Sequence, residues 1–180
     1  NSFDFVRSLY VQDAKGFSQE FRLVGQSEAL NWTIGALYAD VEESVLVTSG
    51  IYKFGDLFFG GVPNIFNEIK SSKSEAIYGE LSYDISEKLT FSLGGRYFKD
   101  DRSYESPAGA DSLSASFDKV SFSFKASYAA TDSSNIYLNI SEGFRSGGFN
   151  ANGITYKPED LVTYDLGVKA AFMDGRINVD

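Results

Sequence analysis

Cysteine and histidine are both absent from the 180 residues. That removes disulfides, thiolate and imidazole metal sites, Cys–His and Ser–His nucleophile pairs and histidine acid–base chemistry, and most enzyme mechanisms go with them. The sequence offers no catalytic residue, no metal-ligand set and no cofactor motif. Proline is scarce, at 3 residues, and Met and Trp occur once each. Positive charge is in deficit, with 16 Lys plus Arg against 25 Asp plus Glu for a net charge of −9. Such a balance repels phosphate backbones, and no segment gathers enough Lys and Arg for a basic groove, so nucleic acid is not expected as a partner. Nor is there a run approaching the ~18 apolar residues of a spanning helix. The uncharged stretch Leu57 to Phe66 is broken by Gly60, Gly61 and Pro63. Asn1 opens directly into Ser2-Phe3-Asp4-Phe5 with no basic-then-apolar leader, and Gly175 to Asp180 reads as a strand that has just begun. Both ends are therefore expected to be cuts from a longer chain.

What the chain does have is aromatic residues, glycine and a period of two. There are 16 Phe and 11 Tyr beside 17 Gly, at 43% hydrophobic, a composition that folds. From Leu89 one parity reads Leu89, Phe91, Leu93, Gly95, Tyr97, against Thr90, Ser92, Gly94 and Arg96. The same holds for Ile77 to Ile85, for Val120 to Tyr128 and for Val162 to Phe172, and in none of these segments does a charge fall on the apolar parity. Each is a strand with one greasy face and one wet face. Short polar or Gly-bearing turns are expected at Ser27-Glu28-Ala29, Asp84 to Lys88, Thr131 to Ser134 and Met173-Asp174-Gly175. Between them lie long connections, Ser44 to Ser72, Asp101 to Phe117 and Arg145 to Leu161. The alternation puts all tight turns at one end of an antiparallel meander of about eight strands, a single all-β domain over 1–180 with no linker or repeat.

Two architectures fit such a meander, and periodicity alone does not separate them. In a soluble sandwich or barrel the apolar parity faces a closed core; in a transmembrane up-and-down β-barrel it faces lipid and the polar parity faces a wet lumen. Short turns at one end, long loops at the other and aromatics toward strand ends (Tyr83, Tyr97, Tyr128, Phe172) favour the membrane barrel. So do Arg96, Lys125 and Lys169, charges lying mid-strand on the polar parity, where a water-filled lumen tolerates them.

The stretch Ile136-Tyr137-Leu138-Asn139-Ile140-Ser141-Glu142-Gly143-Phe144-Arg145-Ser146-Gly147-Gly148-Phe149-Asn150 resembles a strand-to-loop segment of TonB-dependent outer-membrane receptors. Tyr156-Lys157-Pro158-Glu159-Asp160, then Val162 to Lys169 and Met173-Asp174-Gly175-Arg176, is similar to that family's next loop, strand and turn in the same order. Upstream, Phe17 to Leu23 followed by Trp32 to Tyr38 is similar to an earlier hairpin, so the resemblance covers most of residues 17–180. It implies a 22-stranded barrel of the bacterial outer membrane, plugged by an N-terminal domain that these residues do not include. Such a receptor imports ferric siderophores, cobalamin, glycans or other scarce solutes, driven by an inner-membrane energy-coupling complex that pulls on the plug. With about eight strands, this chain is then a partial barrel, roughly a third of the whole. The alternative is a passive outer-membrane channel or a small complete structural barrel.

Individual sites have competing readings. Gly143, Gly147, Gly148 and Gly153 lack G-x-G-x-x-G spacing and a P-loop Lys, so a bend at the barrel rim explains them better than a phosphate cradle. Arg145 and Lys157 offer cations for an anionic ligand such as an iron chelate, although a structural contact of Arg145 to strand carboxylates is the stronger reading. Glu42-Glu43 and Asp100-Asp101 suggest paired carboxylates, yet adjacent strand residues point to opposite faces, and solvated loop ends account for them. The aromatic loop with Tyr52, Phe54, Phe58, Phe59 and Phe66 is the leading ligand-contact candidate, self-packing being its rival.

Overall fold

The computed structural model describes residues 3–54, 64–106, 111–150, 154–173 and 176–179. The strands are β1 (Phe3–Gln26), β2 (Leu30–Phe54), β3 (Asn64–Ser86), β4 (Leu89–Ser106), β5 (Asp111–Thr131), β6 (Ser134–Arg145), β7 (Gly148–Phe149), β8 (Thr155–Tyr156), β9 (Glu159–Phe172) and β10 (Ile177–Val179). Eight of them form one sheet in the order β1-β2-β3-β4-β5-β6-β9-β10, while β7 and β8 pair with each other alone. Every neighbouring pair is antiparallel. The sheet is not closed, since β1 and β10 are its two edges, and the arrangement is that of a partial up-and-down barrel.

Register keeps the two parities apart across the whole sheet. Leu93 lies opposite Leu81 on one side and Phe124 on the other, Phe124 opposite Ile140, and Ile140 opposite Tyr164. A slip of one residue in any pair would put a polar residue or glycine into this row, such as Glu80, Ser92, Lys125, Asn139 or Asp165. The same row continues through Trp32 and Ile34 of β2 to Leu23 and Phe21 of β1. These side chains are not folded onto a core: Leu166 is 78% exposed, Leu93 63% and Phe122 62%. Among the described residues, the buried apolar set is only Val45, Ala76, Tyr104 and Phe149. A sandwich would have buried the apolar parity, and soluble monomers rarely expose contiguous apolar patches beyond a few hundred Å². The exposed face therefore decides what periodicity left open.

The apolar stretch on each strand has a sharp upper limit. It runs from Leu89 to Tyr97 on β4 and from Ile85 to Ile77 on β3, close to the ~9 to 11 residues of a membrane-spanning strand. Immediately beyond it the same parity turns charged and alternates in sign between strands, with Lys15 opposite Glu42, Asp40 opposite Lys73, and Glu75 opposite Lys99. Lys99 and Asp101 form an ion pair at 2.9 Å. The Ser116 hydroxyl and Lys99 together hold the Asp101 carboxyl below its ordinary range. Cross-strand opposite charges of this kind stabilise pairing modestly.

The tight turns fall where the sequence placed them, at 27–29, 87–88 and 132–133. Met173 takes a left-handed φ of 52° as β9 ends, a conformation a non-glycine residue adopts only where the turn demands it. Two of the three long connections are shorter than expected. Most of Ser44 to Ser72 is strand, because β2 runs to Phe54 and β3 starts at Asn64. Likewise β4 runs to Ser106 and β5 starts at Asp111. The reason is that both arms of each connection have cross-strand partners in register, such as Val47 opposite Phe66 and Tyr104 opposite Leu113. Antiparallel pairing satisfies backbone groups that a loose loop would leave to water.

Candidate functional site

The polar parity of the sheet carries the chemistry. Near the turns it is a hydroxyl layer, with Ser82 and Ser92 at 2.6 Å and Thr90 donating to Asp84 at 2.6 Å. Farther along, Tyr78 donates to Glu20, while Arg22 donates to Glu20 at 2.9 Å and to Tyr78 at 3.2 Å. Tyr78 reaches across because Gly35, its cross-strand partner, has no side chain; a Cβ there would run into the phenol ring. The same device recurs where the Tyr137 ring lies over Gly167. Lys125 is paired with Glu80 at 2.8 Å. Asn139 donates to Asp165 at 3.1 Å. Arg96 lies over the Phe98 ring at 5.0 Å and Lys169 over the Tyr137 ring at 5.9 Å. All three mid-strand cations named from the sequence, Arg96, Lys125 and Lys169, are therefore on the polar face.

Toward the loop end the polar face becomes a partly enclosed site. Above Ser123 and Ser141 the ladder between β5 and β6 stops, and β6 continues paired only to β9. At this fork the Glu142 carboxylate accepts the Phe122 backbone N–H at 3.0 Å, supplying the acceptor that the missing strand no longer gives. Beyond β6 the chain turns onto the polar face of β4 and β5 and forms the β7–β8 hairpin. Phe149 packs against Tyr104 with ring centroids 6.2 Å apart. Gly147 lies so close to Phe117 and to the Tyr156 carbonyl that an added Cβ would sit 2.7 and 2.6 Å from them. Here glycine is needed for space, which refines the expectation of a bend at the rim.

Between this hairpin and the walls of β2, β3 and β4 lies a cavity of about 570 Å³, lined by Glu43, Lys70, Arg102, Arg145, Asn150 and Tyr156 among others. Its cations are each tied to an acid. Lys70 pairs with Glu68 at 2.8 Å, Arg102 with Asp100 at 2.7 Å, and Arg145 with Glu159 at 3.7 Å. Glu43 accepts from Gln12. Asp100 and Tyr104 are each only 1% exposed. The Tyr104 hydroxyl and one Glu68 oxygen are buried without a partner, the kind of site an ordered water fills. A larger hollow of about 1120 Å³ runs along Trp32, Ile77, Leu93 and Phe124. It is walled mainly by the apolar band itself, with Tyr78, Glu80, Ser123 and Glu142 among its polar lining.

The residues nominated from sequence fare unevenly. Arg145 closes β6 at the cavity, and its pairing with Glu159 matches the structural reading offered for it. Lys157 is exposed between β8 and β9. Tyr52 and Phe54 belong to β2, paired with Phe5 and Phe3, and so are strand residues where a loop was expected. Phe58 and Phe59 lie outside the described residues, and so does Gly153. Asp100 and Asp101 do point to opposite faces, but Asp100 is buried against Arg102 and Ser72, not solvated; the strand continues past it and the hairpin folds over it. Lys70, Arg102 and Tyr156 were not nominated as site residues. Carrying the polar parity of β4 beyond Arg96, through Phe98, Asp100, Arg102 and Tyr104, would have found the wall of the cavity.

A family model described as TonB dependent receptor-like, beta-barrel, matches residues 2–180. Comparison with curated protein sequences gives no match. Among solved structures, the ferric yersiniabactin uptake receptor FyuA from Yersinia pestis superposes with a TM-score of 0.73 at 16% identity, covering 93% of this chain and 28% of that one. The ferric citrate transporter FecA in its unliganded form gives 0.67 at 17% identity, covering 93% and 26%. The ferric-catecholate import receptor Fiu from K12 E. coli gives 0.66 at 15% identity, covering 94% and 30%. At these identities the likeness is one of fold, and the chain spans between a quarter and a third of each receptor's length.

Proposed function

The chain belongs to the TonB-dependent receptor β-barrel family, and from that premise we propose that it is a section of an outer-membrane receptor that captures an iron chelate and passes it to the periplasm. The observation that carries the reading is the division of one sheet into an exposed apolar band and a polar face closed over at its loop end by the β7–β8 hairpin. The first is what a bilayer covers; the second is the wall of a solute path. In this reading Arg96, Lys125 and Lys169 face the lumen, and the cavity beside Arg145 forms part of the ligand vestibule. Tyr52, Phe54, Phe58, Phe59 and Lys157 belong to the same loop end. That the structural relatives are receptors or transporters for ferric yersiniabactin, ferric citrate and ferric catecholates favours iron chelates over the family's other solutes. No residue here is given a catalytic role. Partners are the outer-membrane lipid, the solute, and the inner-membrane energy-coupling complex acting through a plug domain.

Uptake measurement tests the reading. Radioiron supplied as ferric citrate, a ferric catecholate and a ferric hydroxamate should enter cells carrying the complete receptor for at least one chelate, and only while the energy-coupling complex is intact. Entry that persists without the complex supports a passive channel instead. Absence of iron entry with all three chelates removes the iron assignment.

A further inference from the structure

We propose that Arg102 is the positioning residue of the vestibule cavity, holding the β7–β8 hairpin against the barrel wall through Tyr156. The proposal rests on the reading of that cavity as part of a ligand vestibule, but its mechanical part stands alone. Asp100 is buried on β4 and accepts two bonds, from the Ser72 hydroxyl at 2.7 Å and from Arg102 Nε at 2.7 Å. Anchored on that side, the planar guanidinium presents Nη1 to the Tyr156 hydroxyl at 3.3 Å. One side chain thus spans from a buried carboxylate in the wall to the second strand of the hairpin, 54 residues away in sequence. Lysine cannot do this, because its single ammonium has no rigid fork with which to serve Asp100 and Tyr156 in fixed directions. Gly148 clears the approach, since a Cβ there would sit 2.7 Å from the Tyr156 hydroxyl and 3.1 Å from Arg102 Nη1. The hairpin's other ties are packing of its first arm and its own short ladder: 146–149 are buried, Phe149 rests on Tyr104 and Gly147 lies close to Phe117, while β7 and β8 are two residues each and Asn150 donates to Ile154 at 2.7 Å. Two-stranded ribbons this short do not persist in water unaided.

The test uses Arg102→Lys, Tyr156→Phe and the double variant in the complete receptor, reconstituted in phospholipid vesicles. Amide hydrogen exchange across 146–150 and 154–156 is read without ligand. Each single variant should speed exchange about tenfold, in line with loss of one charged hydrogen bond, and the double variant should add little more because both break the same link. Exchange in β3 and β4 should not change. Affinity for the ferric chelate that the wild type transports should fall about five- to tenfold, through faster dissociation, with maximal uptake unchanged. Unaltered hairpin exchange in both single variants overturns the latch. Faster exchange with unaltered affinity overturns the positioning role. A wild type that binds no ferric chelate overturns the iron reading, while the exchange data still decide whether Arg102 holds the hairpin.

Discussion

Replacing Leu93 by arginine separates a membrane face from a water face more cleanly than any other single change. Leu93 sits midway between Leu89 and Tyr97, opposite Leu81 and Phe124, and is 63% exposed on the apolar face. In water, a surface leucine so poorly packed is replaced at a cost within about ±0.5 kcal/mol. In a bilayer the same position lies near the midplane, where arginine costs about 2–4 kcal/mol. Tyr97→Arg, at the end of the band on the same strand, should cost only about 0–1 kcal/mol, because charge near the interface is solvated. Ser92→Arg on the opposite face is the third arm, expected to cost well below Leu93→Arg since a wet lumen accepts the charge. Reversible guanidinium unfolding of the complete barrel in phospholipid vesicles measures all three. A Leu93→Arg cost no larger than that of Tyr97→Arg would falsify the depth assignment. A protein that stays folded and monodisperse without detergent or lipid would remove the membrane reading altogether.

Three further outcomes are expected. Cysteine placed at Ser92, Ser123 or Thr163 should react with a water-soluble thiol reagent, whereas at Phe91, Phe122 or Leu166 it should be protected; equal labelling of the two sets contradicts the two-faced sheet. Gly167→Val should destabilise by about 1–3 kcal/mol through collision with the Tyr137 ring, and Tyr137→Ala in the same chain should recover part of the loss in the same unfolding assay. Replacing Phe58 and Phe59 together by Ala should weaken binding of the transported ferric chelate by about 1–3 kcal/mol if their rings contact it, with normal surface display. Unchanged affinity rejects that loop as a contact site.

The sheet was legible in the sequence because a two-faced strand repeats its signal at every second residue, so Leu89 to Tyr97 or Val120 to Tyr128 each carries several independent votes for one parity. The turns were legible for a similar reason, being short and polar. Alternation alone did not say where the solvent of each face lies, since it is the same whether the apolar side meets a core or a bilayer; loop lengths, end aromatics and the mid-strand charges Arg96, Lys125 and Lys169 favoured the bilayer, and the exposure of Leu93, Phe122 and Leu166 agrees. The cavity was least visible. Its walls combine Lys70 of β3, Arg102 of β4 and Tyr156 of β8. Only the register of Lys70 with Tyr104 and the return of the hairpin bring those positions together. Composition also misled: Ser-rich and charged arms such as 101–117 read as loops, although cross-strand pairing held most of them in strands.

Why the chain folds back after β6 follows from the fork between β5 and β6. At β3–β4 and β4–β5 the ladders run well past the apolar band, to Ile69 opposite Glu105 and to Ser106 opposite Asp111. Between β5 and β6 the last pair is Ser123 with Ser141, the next acceptor is the Glu142 side chain, and Gly143 follows with only ordinary contact to Leu161. Once released from β5, the β6–β9 pair is tied across the gap to β5 by Lys119 with Asp160 at 3.0 Å and to β4 by Phe144 against Phe98. Phe144 shares a parity with Ile140 of the apolar row, yet it meets Phe98, a residue of the polar parity of β4. The freed end has therefore rotated toward the polar face, which delivers Ser146 to Phe149 onto Tyr104 and Phe117. The carboxylate of Glu142 thus does what a further strand pair would otherwise do, and the site exists because that pair is missing.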